Sequence, residues 1–299
     1  MGLQMTKLER KPSWLKVPLP KGENYTEIKS SLRTKGLYTV CEEAACPNLS
    51  ECWAAKTATV MILGGTCTRA CKFCNVKTGN PKKFLDLEEP KKTAEMAQIM
   101  GLNYMVVTSV DRDDLDDFGA SHFAKVVERI REDSPRTKVE VLIPDFDGKP
   151  EHMHTLAKSE PFVIAQNVET VKRLTYPVRD RRAGYEKSLD CLNFYKNNYP
   201  NITTKTSLMV GLGETWDELL EAMDDIREVN VDIITFGQYL RPTQRHLKVE
   251  RYYKPEEFAE LKRIAYQKGF KFVASGPLVR SSYKAADYLK FLNDQGISV

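Results

Sequence analysis

The chain has 299 residues, a hydrophobic share of 41% and a formal net charge of +4 at pH 7. No apolar run approaches the length that spans a bilayer, and so small a charge is not typical of nucleic-acid binding, which needs clustered basic stripes. We therefore expect neither a membrane nor a nucleic acid as partner, and a cytoplasmic location. A chain of this length is common among α/β barrels that form one domain.

The N-terminal stretch, residues 1–57, shows no regular alternation of apolar and polar segments. It is rich in Lys and Pro at first and then carries three cysteines. We interpret it as an extension that packs against the rest of the protein through these cysteines. A second end piece, residues 276–299, follows the central part of the chain.

The central part, residues 58–275, is predicted to contain six strands. Short apolar runs occur at residues 59–63, 105–108, 139–143, 162–165, 207–210 and 233–236. Segments between them, such as 90–100, 123–131 and 216–228, carry apolar residues at helical spacing. Strands that alternate with helices in this way indicate a parallel sheet built from β/α repeats. The predicted fold class is therefore α/β, an incomplete (β/α)6 barrel of the TIM type.

Six of the seven cysteines form two triplets, which predict two sites with three thiolates each. The members are Cys41, Cys46 and Cys52 in a C-x4-C-x5-C pattern, and Cys67, Cys71 and Cys74 in a C-x3-C-x2-C pattern. Closely spaced cysteines are typical ligands of iron–sulfur clusters, but a ferredoxin brings four to each 4Fe–4S cluster. The second loop offers three and would leave one iron open for chemistry.

Two other uses of the six thiols fit their spacing less well. A structural zinc with four cysteines usually repeats a C-x2-C unit, and only Cys71 and Cys74 have that spacing. A disulfide framework belongs to small secreted domains, and the chain begins without an apolar signal segment. The seventh cysteine, Cys191, lies alone in an apolar helical stretch and is expected to be a buried hydrophobic residue.

The second cysteine loop, with Phe73 before its last cysteine, resembles the signature of the radical S-adenosylmethionine enzymes. The resemblance implies that Cys67, Cys71 and Cys74 hold a 4Fe–4S cluster whose open iron is chelated by S-adenosylmethionine. It also implies that an electron from this cluster cleaves the sulfonium to give a 5′-deoxyadenosyl radical. Phe73 is accordingly expected near the cofactor.

The first triplet resembles the auxiliary-cluster motif of the lipoyl synthase family. Residues 276–285 match the C-terminal R-S-S-Y motif of that family, in which a serine oxygen is the fourth ligand of a second 4Fe–4S cluster. The resemblance assigns Cys41, Cys46, Cys52 and Ser282 to this auxiliary cluster, and Ser282 is chosen over Ser281 by resemblance alone. A cluster held in this way would staple the two chain ends together.

The resemblance also implies the reaction and its partners. Hydrogens are abstracted from C6 and C8 of an octanoyl chain on a carrier-protein lysine, and a sulfur from the auxiliary cluster enters at each carbon. The carrier is a glycine-cleavage H protein or the lipoyl domain of a 2-oxoacid dehydrogenase. Flavodoxin or ferredoxin is expected as electron donor, and an iron–sulfur carrier is expected to repair the consumed cluster.

Further cofactor contacts are expected just after the predicted strands, because the chemistry of α/β barrels lies at the carboxyl ends of strands. Asp111 follows the second strand, and Asn167 and Glu169 follow the fourth. Residue type alone explains Asp111 equally well as part of a helix start, whereas the resemblance favours the cofactor pocket. Arg179 lies in a basic cluster that suits the carboxylate of S-adenosylmethionine or acidic residues of a carrier.

The segments after the last two predicted strands complete the set of candidates. Gly211, Gly213 and Glu214 resemble the adenine-side segment of the superfamily, although a short Gly-x-Gly more often marks only a tight turn. Arg241 follows the family pattern after the sixth strand and is expected near substrate or cofactor. We also expect the cations Arg69 and Lys72, within the second triplet, to favour the reduced state of its cluster.

Two other functions are compatible with parts of the sequence. A transfer-RNA methylthiotransferase also pairs an N-terminal cysteine triplet with the C-x3-C-x2-C loop, but nothing basic and aromatic enough to bind RNA follows the barrel here. A non-enzymatic electron carrier or a zinc-stapled binding module would have fully ligated metals and would not react with S-adenosylmethionine.

Overall fold

The computed structural model describes residues 11–16, 30, 39, 48–54, 56–283 and 285–297. Two of the predicted cluster ligands, Cys41 and Cys46, lie outside these residues. Within the described part, no helix combines the length and the apolar character that a membrane span requires.

Seven parallel strands form the main sheet, in the order β1-β4-β5-β6-β7-β8-β9, and two short strands form a separate pair, β2-β3. In chain order the strands are β1 (Thr57–Ile62), β2 (Thr66–Cys67), β3 (Lys77–Thr78), β4 (Tyr104–Ser109), β5 (Lys138–Leu142), β6 (Val163–Ala165), β7 (Thr203–Val210), β8 (Ile233–Gln238) and β9 (Phe272–Gly276). The first and last strands of the sheet are its two edges, so the barrel is open.

Helix α1 precedes the first strand, and the later helices alternate with the strands of the main sheet in the manner of β/α repeats. They are α1 (Leu49–Ala54), α2 (Glu89–Ile99), α3 (Ala120–Asp133), α4 (Pro150–Ala157), α5 (Thr175–Val178), α6 (Tyr185–Asn198), α7 (Trp216–Glu228), α8 (Pro255–Gln267) and α9 (Asp287–Asp294). A capping box between Thr215 and Glu218 begins α7. The expectation of an incomplete α/β barrel is confirmed.

Each of the six predicted strands overlaps an observed one, and β9 is a seventh strand that the prediction lacked. The six strands that were predicted, β1 and β4 to β8, have apolar cores because a parallel sheet is covered on both faces. The fully buried run Met105, Val106 and Val107 in β4 is an example. The β9 sequence, Phe-Val-Ala-Ser-Gly, is short and half polar. It extends to Gly276, one residue beyond the boundary predicted at 275.

The segment after β9 passes into the interior of the open barrel. Gly237 of β8 faces it so closely that a Cβ there would lie 2.2 Å from the carbonyl oxygen of Val279. Further along, Ala285 packs against Tyr104 and Val106. Side chains of a strand alternate between its faces, and the intervening Met105 packs with the outer helices, so Tyr104 and Val106 point into the interior.

Helix α9 completes this path at the amino ends of the strands. Tyr288 and Leu292 pack against Val163 and Ile233, which lie at the beginnings of β6 and β8. The chain therefore crosses the barrel interior from the carboxyl ends of the strands to their amino ends, and α9 covers the end opposite the candidate site.

A buried ion pair lies between these two ends of the barrel. The Lys205 ammonium is 2.7 Å from the Glu140 carboxylate, which also accepts a 2.7 Å hydrogen bond from the Tyr104 hydroxyl. All three side chains are buried. The Glu140 carboxylate therefore has both an opposite charge and a hydrogen-bond donor as partners, which is the condition under which a buried charge is tolerated.

Removing the ammonium should be costly, because it leaves the Glu140 carboxylate buried and uncompensated. We expect Lys205→Met to lower the free energy of unfolding by about 3 kcal/mol, measured by urea denaturation of the cluster-free chain. Lys196→Met is the matched control, since its partner Asp232 keeps a second ammonium, that of Lys271, at 2.8 Å. Equal losses in the two variants would contradict this interpretation.

Candidate functional site

A cavity of about 440 Å³ opens at the carboxyl ends of the strands. Of the residues predicted for the site, those that line it are Cys67, Cys71, Phe73, Cys74, Asp111, Asn167, Glu169, Arg179 and Ser282. They come from the loop after β1, from the ends of β4 and β6, from the residue after α5, and from the segment after β9. The barrel therefore brings together groups that are widely separated in sequence.

The cysteine loop is held by backbone hydrogen bonds to neighbouring loops. The amide of Thr68 donates to the carbonyl of Asp111 at 3.0 Å, and the amide of Lys72 donates to that of Val178 at 2.9 Å. Amides also point at sulfur: those of Asp111 and Arg69 to Cys67 Sγ, each at 3.4 Å, and that of Asp180 to Cys71 Sγ at 3.3 Å. Hydrogen bonds to ligand sulfur are one means by which proteins tune an iron–sulfur cluster.

Burial makes the three thiols of this loop weak acids when no metal is bound. It raises the pKa of Cys67 to about 12, with the nearby Asp111 carboxylate adding to the effect, and raises the pKa of Cys71 to about 11. The pKa of Cys74 is raised by burial as well. Since iron binds thiolates, cluster assembly here must displace protons that neutral pH alone does not remove.

The acidity of these thiols can be measured by alkylation of the cluster-free chain. A thiol reacts as its thiolate, and an ordinary cysteine has a pKa of about 8.5, so its alkylation rate levels off above that pH. We expect the iodoacetamide reaction of Cys67 and Cys71 still to accelerate between pH 9 and pH 11, whereas that of a short unstructured cysteine peptide with blocked ends is already close to its plateau. Peptide mass mapping separates the sites, and a plateau near pH 9 would contradict the burial effect.

Arg69, next to Thr68 in the cysteine loop, is surrounded by carboxylates. Its terminal nitrogens Nη1 and Nη2 each lie 2.7 Å from an oxygen of Asp145. In addition, Nη2 is 2.9 Å from an Asp113 oxygen, and Nη1 is 3.4 Å from an Asp111 oxygen. The guanidinium is almost fully buried. These carboxylates compensate the charge of Arg69 within the protein and give it a structural place, while Lys72 is exposed to solvent. The expectation that the two cations favour the reduced cluster stays a prediction.

Asn167 and Glu169 form one wall of the cavity. The Asn167 amide donates to Glu169 Oε1 at 3.0 Å, while its own Oδ1 is buried and has no partner among the described residues. Glu169 has a φ of +72°, which is uncommon for a residue with a side chain and recurs at functional sites. Burial raises the pKa of its carboxyl. The wall thus offers an unsatisfied acceptor and a carboxylate to a polar ligand.

Arg179 lies beside this wall and is only partly used by the protein. A single terminal nitrogen, Nη1, donates to the carbonyl oxygens of Val168 and Gly184 and to the Ser188 hydroxyl, at 3.0 to 3.3 Å. These are the hydrogen bonds that the Arg179 side chain makes with the described residues, so Nε and Nη2 are available to a carboxylate ligand.

Four predicted cofactor residues do not line the cavity. Gly211 has a φ of +100°, and a Cβ there would lie 2.1 Å from Gln238 Nε2. The amide of Gly211 donates to the Glu214 carboxylate at 2.7 Å, so Glu214 fixes the Gly211–Gly213 turn. Arg241 donates to the carbonyl of His246 at 2.9 Å and holds its own loop. This turn and this loop support Gln238 and the cysteine loop, which do line the cavity.

Several lining residues were missed by the sequence analysis. Asp145 follows β5, and the rule that strand ends carry chemistry would have found it. Ser109, at the end of β4, has a buried hydroxyl without a partner among the described residues. His246 does not line the cavity but has its Nε2 3.0 Å from the carbonyl oxygen of Cys74. A single histidine in a long loop gives no spacing pattern to predict such a contact.

The second predicted cluster site is described in part. Cys52 lies on α1, and Ser281 and Ser282 line the cavity. The two segments are in contact, because the Tyr283 hydroxyl donates to the Glu51 carboxylate at 2.7 Å. The seventh cysteine, Cys191, is buried in the core, as expected.

Two family models match the chain, one in its N-terminal extension and one in the barrel. Residues 61–226 match the radical SAM superfamily, and residues 1–46 match the N-terminal domain of lipoyl synthase of the radical SAM family. Lipoyl synthase of Marinobacter nauticus is 55% identical over 98% of this chain and 84% of its own length. Lipoyl synthase of Legionella pneumophila strain Paris is 55% identical over 92% of this chain and 84% of its own length.

Solved structures share the fold at low sequence identity. Methylornithine synthase (PylB) has a TM-score of 0.54 at 12% identity, covering 92% of this chain and 96% of its own. Streptococcus suis SuiB bound to S-adenosylmethionine has a TM-score of 0.55 at 14% identity, covering 84% of this chain and 54% of its own. These likenesses confirm the open barrel. The identity over nearly the whole chain shows more: the protein belongs to the lipoyl synthase family of radical S-adenosylmethionine enzymes.

Proposed function

We propose that the cavity converts an octanoyl group on a carrier-protein lysine into the lipoyl group. One hydrogen leaves C6 and one leaves C8 of the acyl chain, and one sulfur enters at each carbon. The observation that carries this proposal is that one cavity is lined both by the C-x3-C-x2-C loop and by Ser281 and Ser282 from the far end of the chain. A site for radical generation and a site for sulfur donation thus face the same space.

The residues present fit a 4Fe–4S cluster with bound S-adenosylmethionine. Cys67, Cys71 and Cys74 would hold the cluster, which supplies the electron that cleaves the sulfonium when it is bound. Arg179 has unused donors for the methionyl carboxylate. Glu169 and the unpaired Oδ1 of Asn167 are acceptors for its amino group or for ribose hydroxyls. Phe73 and Asp111 complete the wall on the side of the cysteine loop.

The second cluster would be held by Cys41, Cys46, Cys52 and Ser282. Its donor set suits a cluster that must give up sulfur, since an alkoxide is a harder and more easily lost iron ligand than a thiolate. The proximity of α1 to the segment after β9 supports this assignment. Gly211, Gly213, Glu214 and Arg241 then support the cavity from behind, as their contacts indicate.

The acyl chain has apolar side chains to lie against inside the cavity. Met61, Leu142, Met209 and Val279 contribute these surfaces. The carrier would be a glycine-cleavage H protein or a lipoyl domain of a 2-oxoacid dehydrogenase. We propose flavodoxin or ferredoxin as electron donor and an iron–sulfur carrier for repair of the consumed cluster, in the cytoplasm.

The test is an anaerobic turnover of the reconstituted protein. Iron and sulfide are added first, then S-adenosylmethionine, dithionite and an octanoylated lipoyl domain, and the carrier mass and 5′-deoxyadenosine are followed together. A carrier that gains two sulfurs establishes the reaction. Formation of 5′-deoxyadenosine without a change in the carrier would reject the substrate, and no change in either with intact clusters would favour a binding module. The same assay with transfer RNA in place of the carrier tests the methylthiotransferase alternative, which predicts a methylthiolated RNA.

A further inference from the structure

Two hydrogen bonds join the helix that carries Cys52 to the segment that carries the serine pair. The buried Asn48 side chain donates from Nδ2 to the carbonyl oxygen of Leu278 at 2.7 Å. The Tyr283 hydroxyl donates to the Glu51 carboxylate at 2.7 Å. Both bonds connect positions more than two hundred residues apart, and neither involves a predicted cluster ligand.

The same helix is fixed on its other face by apolar packing. Leu49 and Trp53 are buried in the core cluster that contains Val60 of β1. The amide of Cys52 donates to the carbonyl of Asn48 at 3.0 Å, so the residue that bonds to the C-terminal segment also begins the helical turn of the cysteine. The position of Cys52 is therefore defined by protein contacts on both sides of α1.

We infer that Asn48 and Tyr283 are positioning residues that hold Cys52 next to Ser281 and Ser282 before any cluster binds. This inference rests on the proposed function, because it concerns the auxiliary cluster. It modifies the expectation that the cluster itself staples the two chain ends together. The folded barrel already brings the two segments near each other, and these contacts fix their remaining freedom in the cluster-free chain.

The arrangement also has a chemical consequence for a site whose cluster is consumed. If the cluster alone joined the two segments, each turnover would release them, and the site would have to close again for the next cluster. With Asn48 and Tyr283 in place, the cysteine and serine ligands stay near their bound positions. A preorganised site loses less entropy when it binds its ligand.

The first test is hydrogen exchange of the cluster-free chain, followed at the Cys52 amide. Loss of a buried hydrogen bond should speed this exchange about tenfold in Asn48→Ala, and about threefold in Tyr283→Phe, because Glu51 is exposed. Tyr266→Phe is the control, since that remote hydroxyl accepts a long bond, 3.4 Å, from the amide of Val273. Exchange equal to the control in both variants would overturn the inference.

The second test asks whether the contacts serve the cluster ligands. In reconstituted protein, Tyr283→Phe should release iron from the auxiliary cluster to a chelator several-fold faster than Tyr266→Phe. Glu51→Gln, which keeps an acceptor for the tyrosine, should behave more like the unmodified protein than Glu51→Leu does. Faster amide exchange without faster iron release would overturn the positioning role.

The two tests also separate this inference from the proposed function. If the amide exchange changes as expected but no cluster forms on the first cysteine triplet, the auxiliary-cluster assignment fails, and the positioning role fails with it. If that cluster forms and donates sulfur while the exchange is unaffected, the reaction stands and the inference alone is rejected.

Discussion

Replacing Cys67 with Ala should abolish cleavage of S-adenosylmethionine, whereas replacing Cys52 with Ala should stop sulfur insertion and leave that cleavage intact. The reason is that the two cysteines belong to different proposed clusters, and in the proposal S-adenosylmethionine binds the cluster of Cys67. Loss of an outer-shell partner costs metal sites about 10- to 100-fold, so loss of a ligand itself should reduce 5′-deoxyadenosine formation by more than about 100-fold. Chromatography of 5′-deoxyadenosine and mass spectrometry of the carrier measure the two steps separately.

The control for this pair is Cys191→Ala. That thiol is buried in the core, and burial raises its pKa strongly, so it is not a ready metal ligand. Both steps should survive its replacement. Loss of 5′-deoxyadenosine formation in the Cys52 variant, to the level of the Cys67 variant, would contradict two independent clusters.

The second large effect is expected at Arg69, whose replacement by Met should destabilise the fold by about 4 kcal/mol or more. Asp145 is fully buried against this guanidinium, and Asp111 and Asp113 also face it. Without the cation, three carboxylates repel one another in a poorly solvated place. The free energy of unfolding of the cluster-free chain, measured in urea, tests this directly.

Arg263→Met provides the comparison for Arg69. Its partner Glu260 lies one helical turn away on the surface of α8, and both side chains are about half exposed. Exposed pairs of this kind contribute about 0 to 1 kcal/mol. If both variants lost the same small amount of stability, the carboxylate cluster around Arg69 would have to be protonated rather than paired.

The sequence predicts the parts of the fold and site that depend on local pattern. Apolar runs identify the first six strands, and the spacing of Cys67, Cys71 and Cys74 identifies the loop that opens into the cavity. The seventh strand was missed because its five residues include Ser275 and Gly276, which do not mark a buried run. The passage of the C-terminal segment through the barrel interior cannot be predicted from a repeating pattern of residues. It depends on small residues such as Ala285 that fit inside the barrel.

Contacts between distant segments account for features of the site that the sequence did not indicate. The charge of Arg69 looked available because its neighbours in sequence include few acids, whereas Asp145 reaches it from another strand end. Gly211 looked like a ligand contact, but the space beside it is filled by Gln238. In both cases the local motif was read correctly as polar or tight, and the partner was supplied by tertiary structure.

The passage of the C-terminal segment through the barrel bears on the order of events during protein synthesis. The cysteine loop at 67–74 and the strands around it leave the ribosome well before residues 279–292. Val279, Ala285 and Tyr288 pack inside or beneath the sheet, so this packing can form only after they have been synthesised. The loop with Cys67, Cys71 and Cys74 is therefore made long before the segment with Ser281 and Ser282, which reaches the cavity last.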